Sequence, residues 1–393
     1  MERTALEGLQ VLDVSRYGPA PFCTMILGDL GADVLRIDGA AWELEVREFP
    51  PPDSPYDPLN RNKRSLELNL KTDEGKRIFY QLAKKADIVV EGFRPGASKR
   101  LGIDYETLSK INPRIIYCAI SGYGQDGPLS NLAGHDITYI AQGGVLGTMG
   151  RPDVIPGNII GDWAGGGMQG VIGILAAVVA RQTTGRGQFV DIAVTDGVTS
   201  FLCAYIAKYL ETGSMPAEED RTTVGAEHYY SVYETKDGKH IAIGNAEPKF
   251  FTNLCEAMGC EEYVPYQMDR KKAKEIKAFF AETFLTKTRD EWFNLLLEKD
   301  TCVGKVYTVG ELIHDPHVLH RQMIVELDHP VLGKVKQSGI PIKLSDTPGR
   351  IRKFSPQIGE NTREVLESLG YGDTQISLLQ RTGVVGGKRP HDD

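Results

Sequence analysis

The sequence has no apolar stretch long enough to cross a lipid bilayer. Its longest apolar run, VIGILAAVVA at 171–180, falls well short of the ~20 residues that a membrane-spanning helix needs. The first residues, MERTALEGLQVLDVS, carry acids and no apolar core, which is unlike a secretory signal peptide. We therefore expect a soluble, cytoplasmic protein without a membrane partner.

Basic residues and patterned cysteines are also scarce. The chain has 45 Lys and Arg against 53 Asp and Glu, for a net charge of −8. Nucleic-acid binding is therefore not expected, because contacts with phosphates need a basic face. The six cysteines form no C-x-x-C pair and no cluster with histidine. The sequence predicts neither a metal site nor a disulfide framework, and a reducing compartment fits best.

Three common catalytic or nucleotide-binding motifs are missing. There is no phosphate loop of the G-x-x-x-x-G-K-[ST] type, and the first strand-to-helix turn, SRYGPAP, lacks G-x-G-x-x-G. No G-x-S-x-G turn is present either, so serine hydrolysis has no support. Nucleoside triphosphates and dinucleotides are therefore disfavoured as ligands.

The first two hundred residues alternate strand-like and helix-like segments. LQVLDVS (9–15) and ADVLRID (32–38) are typical of buried strands, and PAPFCTMILGDLG (19–31) between them has the prolines and glycine that begin and end a helix. TDEGKRIFYQLAKKAD (72–87) predicts another helix with Thr72 as its N-cap. This rhythm predicts an α/β fold with an open, mostly parallel, Rossmann-like sheet covered by helices.

The alternation of strands and helices gives way near residue 226 to a predicted hairpin followed by helices. HYYSVYETKDGKHIAIGNAE (228–247) is two alternating runs around Asp237-Gly238, which predicts a hairpin. TRDEWFNLLLEKD predicts a helix opened by a capping box of Thr288 and Glu291. We expect a large α/β domain over 1–205, completed by about 330–393, a linker over 206–225 and a smaller α+β domain over 226–325.

Three titratable residues are candidates for chemistry. Asp162 precedes three glycines in GDWAGGGMQG, which is typical either of an N-cap in a closely packed helix or of a helix start that binds a developing anion. His135 in NLAGHDITYI is either a surface or capping residue or a proton carrier near neutral pH. Glu247 in GNAEPKFF is most simply a solvated acid at a helix start. These residues alone do not decide between the alternatives.

Taken together, the fragments resemble one family. LQVLDVSRYGPAPFCTMILGDLGADVLRID, NRNKRSLELNLKTDEGK, VVEGFRPG, SGYGQDGP, GHDI, GDWAGGGMQG and GQFVDIAVTDG, in this order between about residues 7 and 370, resemble the family III CoA-transferase superfamily (CaiB/BaiF type). His135 in GHD, Asp162 in GDWAGGG and Glu247 in EPKF resemble the catalytic set of its α-methylacyl-CoA racemase branch.

The resemblance implies epimerisation at C2 of a 2-methyl-branched acyl-CoA through an enolate. His135 and Asp162 would be the two opposed acid/base groups, and Glu247 would hydrogen-bond His135 and favour its charged form. Asp162 would need a raised pKa to act as an acid near neutrality, and the glycines after it would bring backbone amides to the thioester oxygen. The alternative is CoA transfer between carboxylic acids with Asp162 as nucleophile. CoA would enter as part of the substrate, with no separate cofactor.

The resemblance also implies contacts with CoA and a quaternary structure. The expected CoA contacts are Leu68, Asn69, Leu70, Lys71, Gly92, Phe93, Arg94, Arg100, Gly134, Asp136, Ile137, Thr138 and Tyr139. Relatives often have an arginine where this chain has Gly39; Arg61, Lys63 or Arg64 are candidates to replace its contact with a CoA phosphate. The family's interlocked homodimer would place Glu247 opposite the large domain of the partner chain.

Overall fold

The computed structural model describes residues 3–16, 18–39, 54–151, 153–215 and 224–386. The chain divides into two compact units, a large unit of residues 1–145, 156–202 and 317–393 and a small unit of residues 146–155 and 203–316. Of the expected linker, 216–223 lies outside the described residues, and its first part belongs to a helix that spans Cys203–Thr212.

The elements are numbered in chain order across both units. The strands are β1 Gln10–Asp13, β2 Asp33–Asp38, β3 Lys63–Glu67, β4 Ile88–Glu91, β5 Ile116–Ser121, β6 Phe189–Ala193, β7 Tyr230–Glu234, β8 His240–Gly244, β9 Val303–Lys305, β10 Ile324–His329 and β11 Gly333–Ser338. The α-helices are α1 Pro19–Asp29, α2 Asp73–Ala83, α3 Ala97–Leu101, α4 Tyr105–Ile111, α5 Asp136–Gln142, α6 Gln169–Thr184, α7 Val194–Ser200, α8 Cys203–Thr212, α9 Pro248–Met258, α10 Arg270–Phe284, α11 Arg289–Glu298, α12 Val309–Leu312, α13 Pro316–His320, α14 Thr362–Ser368 and α15 Asp373–Arg381. A π-helix, Gly161–Met168, runs directly into α6, and 3-10 helices span Leu146–Thr148 and Glu261–Tyr266.

The large unit is built on a six-stranded parallel sheet in the order β3-β2-β1-β4-β5-β6. The α/β class and the parallel sheet predicted from the βαβ rhythm are confirmed. The strand order reverses between β1 and β4, so the loops after these strands diverge and leave a crevice at their carboxyl ends. In open α/β sheets such a crevice is the usual place for a ligand.

The sheet is buried on both faces because successive strand residues point to opposite sides. Leu12, Leu35 and Val89 face a layer that includes α2, α14 and α15. Their neighbours Val11, Val34 and Ile88 face α1 and α6. Thr72 caps α2 as predicted, since its side chain accepts a hydrogen bond from the Gly75 N–H.

The π-helix and α6 form one helical segment, Gly161–Thr184, that is long and apolar enough to span a membrane by length and composition. The expectation that no stretch is long enough to span a membrane considered only the uninterrupted apolar run at 171–180. It did not include the glycine-rich turns that precede this run in the same helical segment. Ile174 and Ala177 of this segment belong to the buried core beside the sheet, and core helices of soluble proteins pass the same test. The feature is therefore weak evidence for a membrane span.

The small unit contains a three-stranded antiparallel sheet, β7-β8-β9, packed against helices. The hairpin predicted around Asp237-Gly238 is confirmed, and Gly238 has the positive φ of 68° that favours glycine in a tight turn. The predicted capping box of Thr288 and Glu291 also opens α11. Aromatic side chains fill the core of this unit, among them Phe251, Phe280, Phe284 and Trp292.

Candidate active site

The expected CoA contacts converge on the carboxyl edge of the parallel sheet. Residues 68–71 follow β3, residues 92–94 follow β4 and lead to Arg100 in α3, and residues 134–139 lie between β5 and the first turns of α5. Because the strands are parallel, these loops all lie at one edge. The structure thus brings the predicted positions together, although their contact with CoA stays a prediction.

The loop after β3 is fixed mainly by backbone hydrogen bonds. The N–H of Leu68 donates to the carbonyl of Asp38 at 2.8 Å, and the N–H of Asn69 donates to the carbonyl of Val384 at 2.8 Å. Leu68 is part of the core and Leu70 packs against it, whereas Lys71 is exposed. Of these four positions, Lys71 is the one that offers a cationic side chain to a ligand.

The loop after β4 is held by an acid that sequence reasoning overlooked. Glu91 is buried, and its carboxylate accepts a hydrogen bond of 2.5 Å from the N–H of Phe93. Burial raises the pKa of Glu91 to about 7. The signal was present in EGFRPG as an acid at the end of an apolar strand. Glu91 fixes the turn that presents Arg94.

His135 lies at the N-cap of α5 and is exposed. Its backbone N–H donates to Thr138 Oγ1 at 3.1 Å, and that hydroxyl donates to the His135 carbonyl at 2.8 Å. Tyr139, the next residue of the helix, donates from its hydroxyl to the Gly134 carbonyl at 2.6 Å. These bonds fix the backbone from which the imidazole projects.

Asp162 lies inside the first turn of the π-helix, which rules out the N-cap alternative for this residue. The capping role belongs to Asp136, whose Oδ1 accepts a hydrogen bond of 2.8 Å from the Asp162 N–H. Asp136 is the residue next to His135. Its side chain therefore joins the turn that carries His135 to the turn that carries Asp162.

The carboxyl group of Asp162 is poor in hydrogen-bond donors. Its Oδ1 is buried and has no hydrogen-bond partner within the described part of the chain. Burial, followed by the negative charge of Asp136, raises the pKa of Asp162 to about 7. Burial and the Asp162 carboxylate in turn raise the pKa of Tyr139 to about 12. Asp162 is thus balanced between its neutral and charged forms near neutral pH.

Gly18 places Asp162 beside the crevice of the sheet. Gly18 follows β1 with a φ of 67°, and a Cβ at this position would lie 3.1 Å from Asp162 Oδ2. The carboxyl group of Asp162 therefore lies against the loop after β1, at the point where the strand order reverses. The glycines after Asp162 serve packing: a Cβ on Gly166 would lie 2.6 Å from Pro19 Cβ. Close contact with α1 is therefore sufficient to require a glycine at this position.

Glu247 lies in the small unit, at the N-cap of α9 and exposed. Buried amide side chains fix the loop before it. Asn245 Oδ1 accepts a hydrogen bond of 2.8 Å from the Cys302 N–H, and Gln267 Nε2 donates to the carbonyls of Asn245 (3.2 Å) and Ala246 (2.9 Å). The exposed carboxylate of Glu247 therefore projects from a firmly held loop.

The three cations expected to replace the arginine missing at Gly39 form ion pairs with carboxylates of the large unit. Arg61 pairs with Asp29 at 2.6 Å and Lys63 pairs with Asp13 at 2.9 Å, both buried. Arg64 pairs with Asp33 at 2.7 Å and with Glu364 at 3.1 Å. These three residues lie at the start of β3, opposite the edge where the expected CoA contacts converge. Their ion pairs and their position give no support to the prediction that one of them replaces the missing arginine.

The chain is similar to known proteins over almost its whole length. A family model described as CoA-transferase family III matches residues 6–362. Human alpha-methylacyl-CoA racemase is 34% identical over 97% of both chains. Human succinyl-CoA:glutarate CoA-transferase is 31% identical over 98% of this chain and 91% of its own. The crystal structure of a CAIB/BAIF family protein from Brucella suis, 28% identical, superposes with a TM-score of 0.81 over 94% of this chain and 100% of its own.

Proposed function

Because the chain belongs to CoA-transferase family III, as its sequence motifs predicted, we propose that it interconverts the two C2 epimers of 2-methyl-branched acyl-CoA thioesters. The observation that carries this proposal is the state of Asp162. A buried carboxyl group with a pKa of about 7 can donate a proton in one half of a reaction and accept it in the other. Acid/base groups are most effective when their pKa is close to the working pH.

In the proposed reaction the pair of electrons in the C2–H bond moves into the thioester, which becomes an enolate. One of His135 and Asp162 removes the C2 proton, and the other returns a proton to the opposite face of C2. The two groups exchange roles when the epimers are exchanged, so no atom is gained or lost. His135 is the complementary partner because an imidazole can both accept and donate a proton.

We assign Glu247 a positioning role toward His135 and propose that it acts between the chains of an interlocked homodimer. Exposed apolar side chains within each unit support a second copy of the chain as partner. Ile172 and Val179 of α6, in the large unit, are 60% and 64% exposed, and Leu210 of α8, in the small unit, is 78% exposed. Two such side chains on one helix are consistent with an association surface. Size-exclusion chromatography with light scattering should give a dimer; a monomer that remains active would contradict this role.

The second candidate is CoA transfer between carboxylic acids, which the similarity to succinyl-CoA:glutarate CoA-transferase supports. There the ionised carboxylate of Asp162 would attack the thioester carbonyl and expel the CoA thiolate, giving an acyl-enzyme anhydride. This chemistry has no evident need for His135 or Glu247. A nucleophile is also best served by an ionised carboxylate, whereas burial favours the neutral form of Asp162.

Deuterium exchange separates the two candidates. Purified protein is incubated in D2O with each epimer of a panel of 2-methyl acyl-CoA thioesters, without an acceptor acid, and C2 deuteration is followed by mass spectrometry. The proposal expects exchange from both epimers, and it expects interconversion of the epimers to be lost in His135→Ala and in Asp162→Asn. No exchange with any thioester, together with CoA transfer to an added carboxylate and a hydroxylamine-trappable acyl group, would establish the transferase instead.

A further inference from the structure

Arg16 and Gly39 lie side by side at the carboxyl edge of the sheet. Arg16 follows β1 and Gly39 follows β2. A Cβ on Gly39 would lie 2.5 Å from Nη2 of Arg16 and 3.6 Å from its Cζ. The guanidinium group therefore lies across the end of β2, in space that remains open because residue 39 has no side chain.

This position fills a gap in the row of expected CoA contacts. In the strand order β3-β2-β1-β4, residues 68–71 follow β3 and residues 92–94 follow β4. These loops are three strand spacings apart, or roughly 14 Å. Arg16 and Gly39 stand at the ends of the two strands between them. A ligand that contacts both loops must pass over the guanidinium group.

The guanidinium group of Arg16 is exposed and forms no hydrogen bond or ion pair with a described residue. Arg61, Lys63 and Arg64, by contrast, are paired at the opposite edge. A cation that has no carboxylate partner among the described residues, and that lies at the crevice of the sheet, is available to an anion. The net charge of −8 makes such a local cation more important for attracting an anionic ligand.

We propose that Arg16 binds a phosphate group of CoA and that Gly39 provides the space for its guanidinium group. This inference rests on the proposed function only in taking a CoA thioester as the ligand. The planar guanidinium fork suits the oxygens of either the 3′-phosphate or the pyrophosphate, to which it can donate two parallel hydrogen bonds.

Isothermal titration of the full-length protein with CoA, 3′-dephospho-CoA and pantetheine tests the proposal. Arg16→Met should weaken CoA binding roughly ten- to hundredfold, as expected for loss of a charge-assisted hydrogen bond, and leave pantetheine binding unchanged. Gly39→Ala changes no charge but forces the guanidinium group to move, so we expect a weaker loss of the same kind. Arg114→Met, which removes an exposed arginine just before β5 at the opposite edge, is the matched control.

The ligand series identifies the phosphate that Arg16 contacts. A loss for CoA alone assigns the 3′-phosphate, and an equal loss for CoA and 3′-dephospho-CoA assigns the pyrophosphate. Unchanged CoA affinity in both Arg16→Met and Gly39→Ala would overturn the inference. Deuterium exchange by the unmodified protein is measured in parallel. If the protein catalyses exchange but Arg16→Met does not change its affinity for CoA, only this inference is refuted. If Arg16→Met weakens CoA binding but the unmodified protein catalyses no exchange, only the proposed racemase activity is refuted.

Discussion

The Asp136 carboxylate accepts a hydrogen bond of 2.8 Å from the backbone N–H of Asp162. Asp136 was expected to contact CoA, yet its side chain is directed to the turn that holds the second catalytic candidate. A Cβ on Gly161 would lie 2.8 Å from Asp136 Oδ1, so this approach requires a glycine there. One side chain thus links GHD to GDWAGGG and also adds negative charge beside Asp162.

Replacing Asp136 by asparagine should shift the pH dependence of exchange. Asparagine keeps an oxygen for the Asp162 N–H but removes the charge, which is the second cause of the raised pKa of Asp162. The pKa of Asp162 should therefore fall below its value of about 7. In the direction in which Asp162 protonates the enolate, exchange should begin to decline at a lower pH than in the unmodified protein. In the direction in which Asp162 removes the C2 proton, exchange should begin to rise at a lower pH.

Rates of exchange from each epimer, measured from mildly acidic to mildly alkaline pH, reveal this shift. Asp136→Ala removes both the charge and the acceptor for the Asp162 N–H, so it should lower the rate of exchange at every pH. Superimposable pH profiles for Asp136→Asn and the unmodified protein would show that Asp136 does not tune Asp162.

Asp162→Asn should stabilise the protein above neutral pH. The pKa of Asp162 is about 7 in the folded chain against an ordinary value of 3.8, so the stability that its neutral form supplies is lost as pH rises from about 4 to about 7. One pKa unit corresponds to ~1.4 kcal/mol. The advantage of asparagine over aspartate at this position should therefore be about 2 kcal/mol greater at about pH 8 than at about pH 5. Thermal unfolding at both pH values checks this; an equal effect at both would contradict it.

His228 should make the small unit sensitive to acid. It is 0% exposed among Tyr229, Phe251 and Phe280, and neither ring nitrogen has a hydrogen-bond partner within the described residues. Burial, followed by the charge of Lys277, lowers the pKa of His228 to about 4 from 6.5. Because the unfolded chain binds a proton more readily, the stability contributed by neutral His228 is complete above pH 6.5 and declines as pH falls toward 4. The loss between about pH 7 and about pH 5 is about 2 kcal/mol.

His228→Phe should reduce this decline, because phenylalanine fills the same aromatic site without binding a proton. Urea unfolding at neutral and at mildly acidic pH, followed by the fluorescence of Trp292 in the same core, compares the two proteins. A variant Trp163→Phe removes the emission of a tryptophan in the large unit and simplifies the signal. If His228→Phe loses as much stability on acidification as its parent, another group is responsible.

Local features of the structure could be predicted, and features that depend on distant contacts could not. Thr72, Asp237-Gly238 and the pair of Thr288 and Glu291 act on neighbouring backbone, so a short window of sequence contains the whole signal. The sequence around Asp162 could not decide between its two alternatives, because the acceptor for its N–H lies 26 residues away, on α5.

The ion pairs of the basic cluster after residue 60 could not be predicted either, because they also depend on distant residues. Arg61 and Arg64 occur in one basic cluster, RNKRS, but the residues that neutralise them, Asp29 and Asp33, come from another βα unit. The sequence shows that the cluster is basic, but it does not show which carboxylates neutralise it. The site itself was predictable only through the resemblance of the ordered motifs, and Arg16 became a candidate only when the end of β1 was seen to lie against Gly39.

Gln267 should support exchange by holding the loop that carries Glu247. Its side chain donates to the carbonyls of Asn245 and Ala246, directly before Glu247. Gln267→Met keeps a similar side-chain volume and removes both bonds, so the loop should sample positions in which Glu247 cannot reach its partner. We expect kcat to fall roughly tenfold, equivalent to ~1.4 kcal/mol, with KM for the thioester little changed, because the expected CoA contacts belong to the large unit.

A double-mutant cycle separates positioning from a general loss of structure. If Gln267 acts through Glu247, then Gln267→Met should have little further effect on kcat in a Glu247→Ala protein, because the group that it positions is gone. Independent, multiplicative losses would mean that Gln267 serves the stability of the small unit instead. Asn253, which donates to the Asp300 carbonyl from the surface of α9, supplies a control: Asn253→Ala removes an exposed bond from the same helix and should leave kcat unchanged.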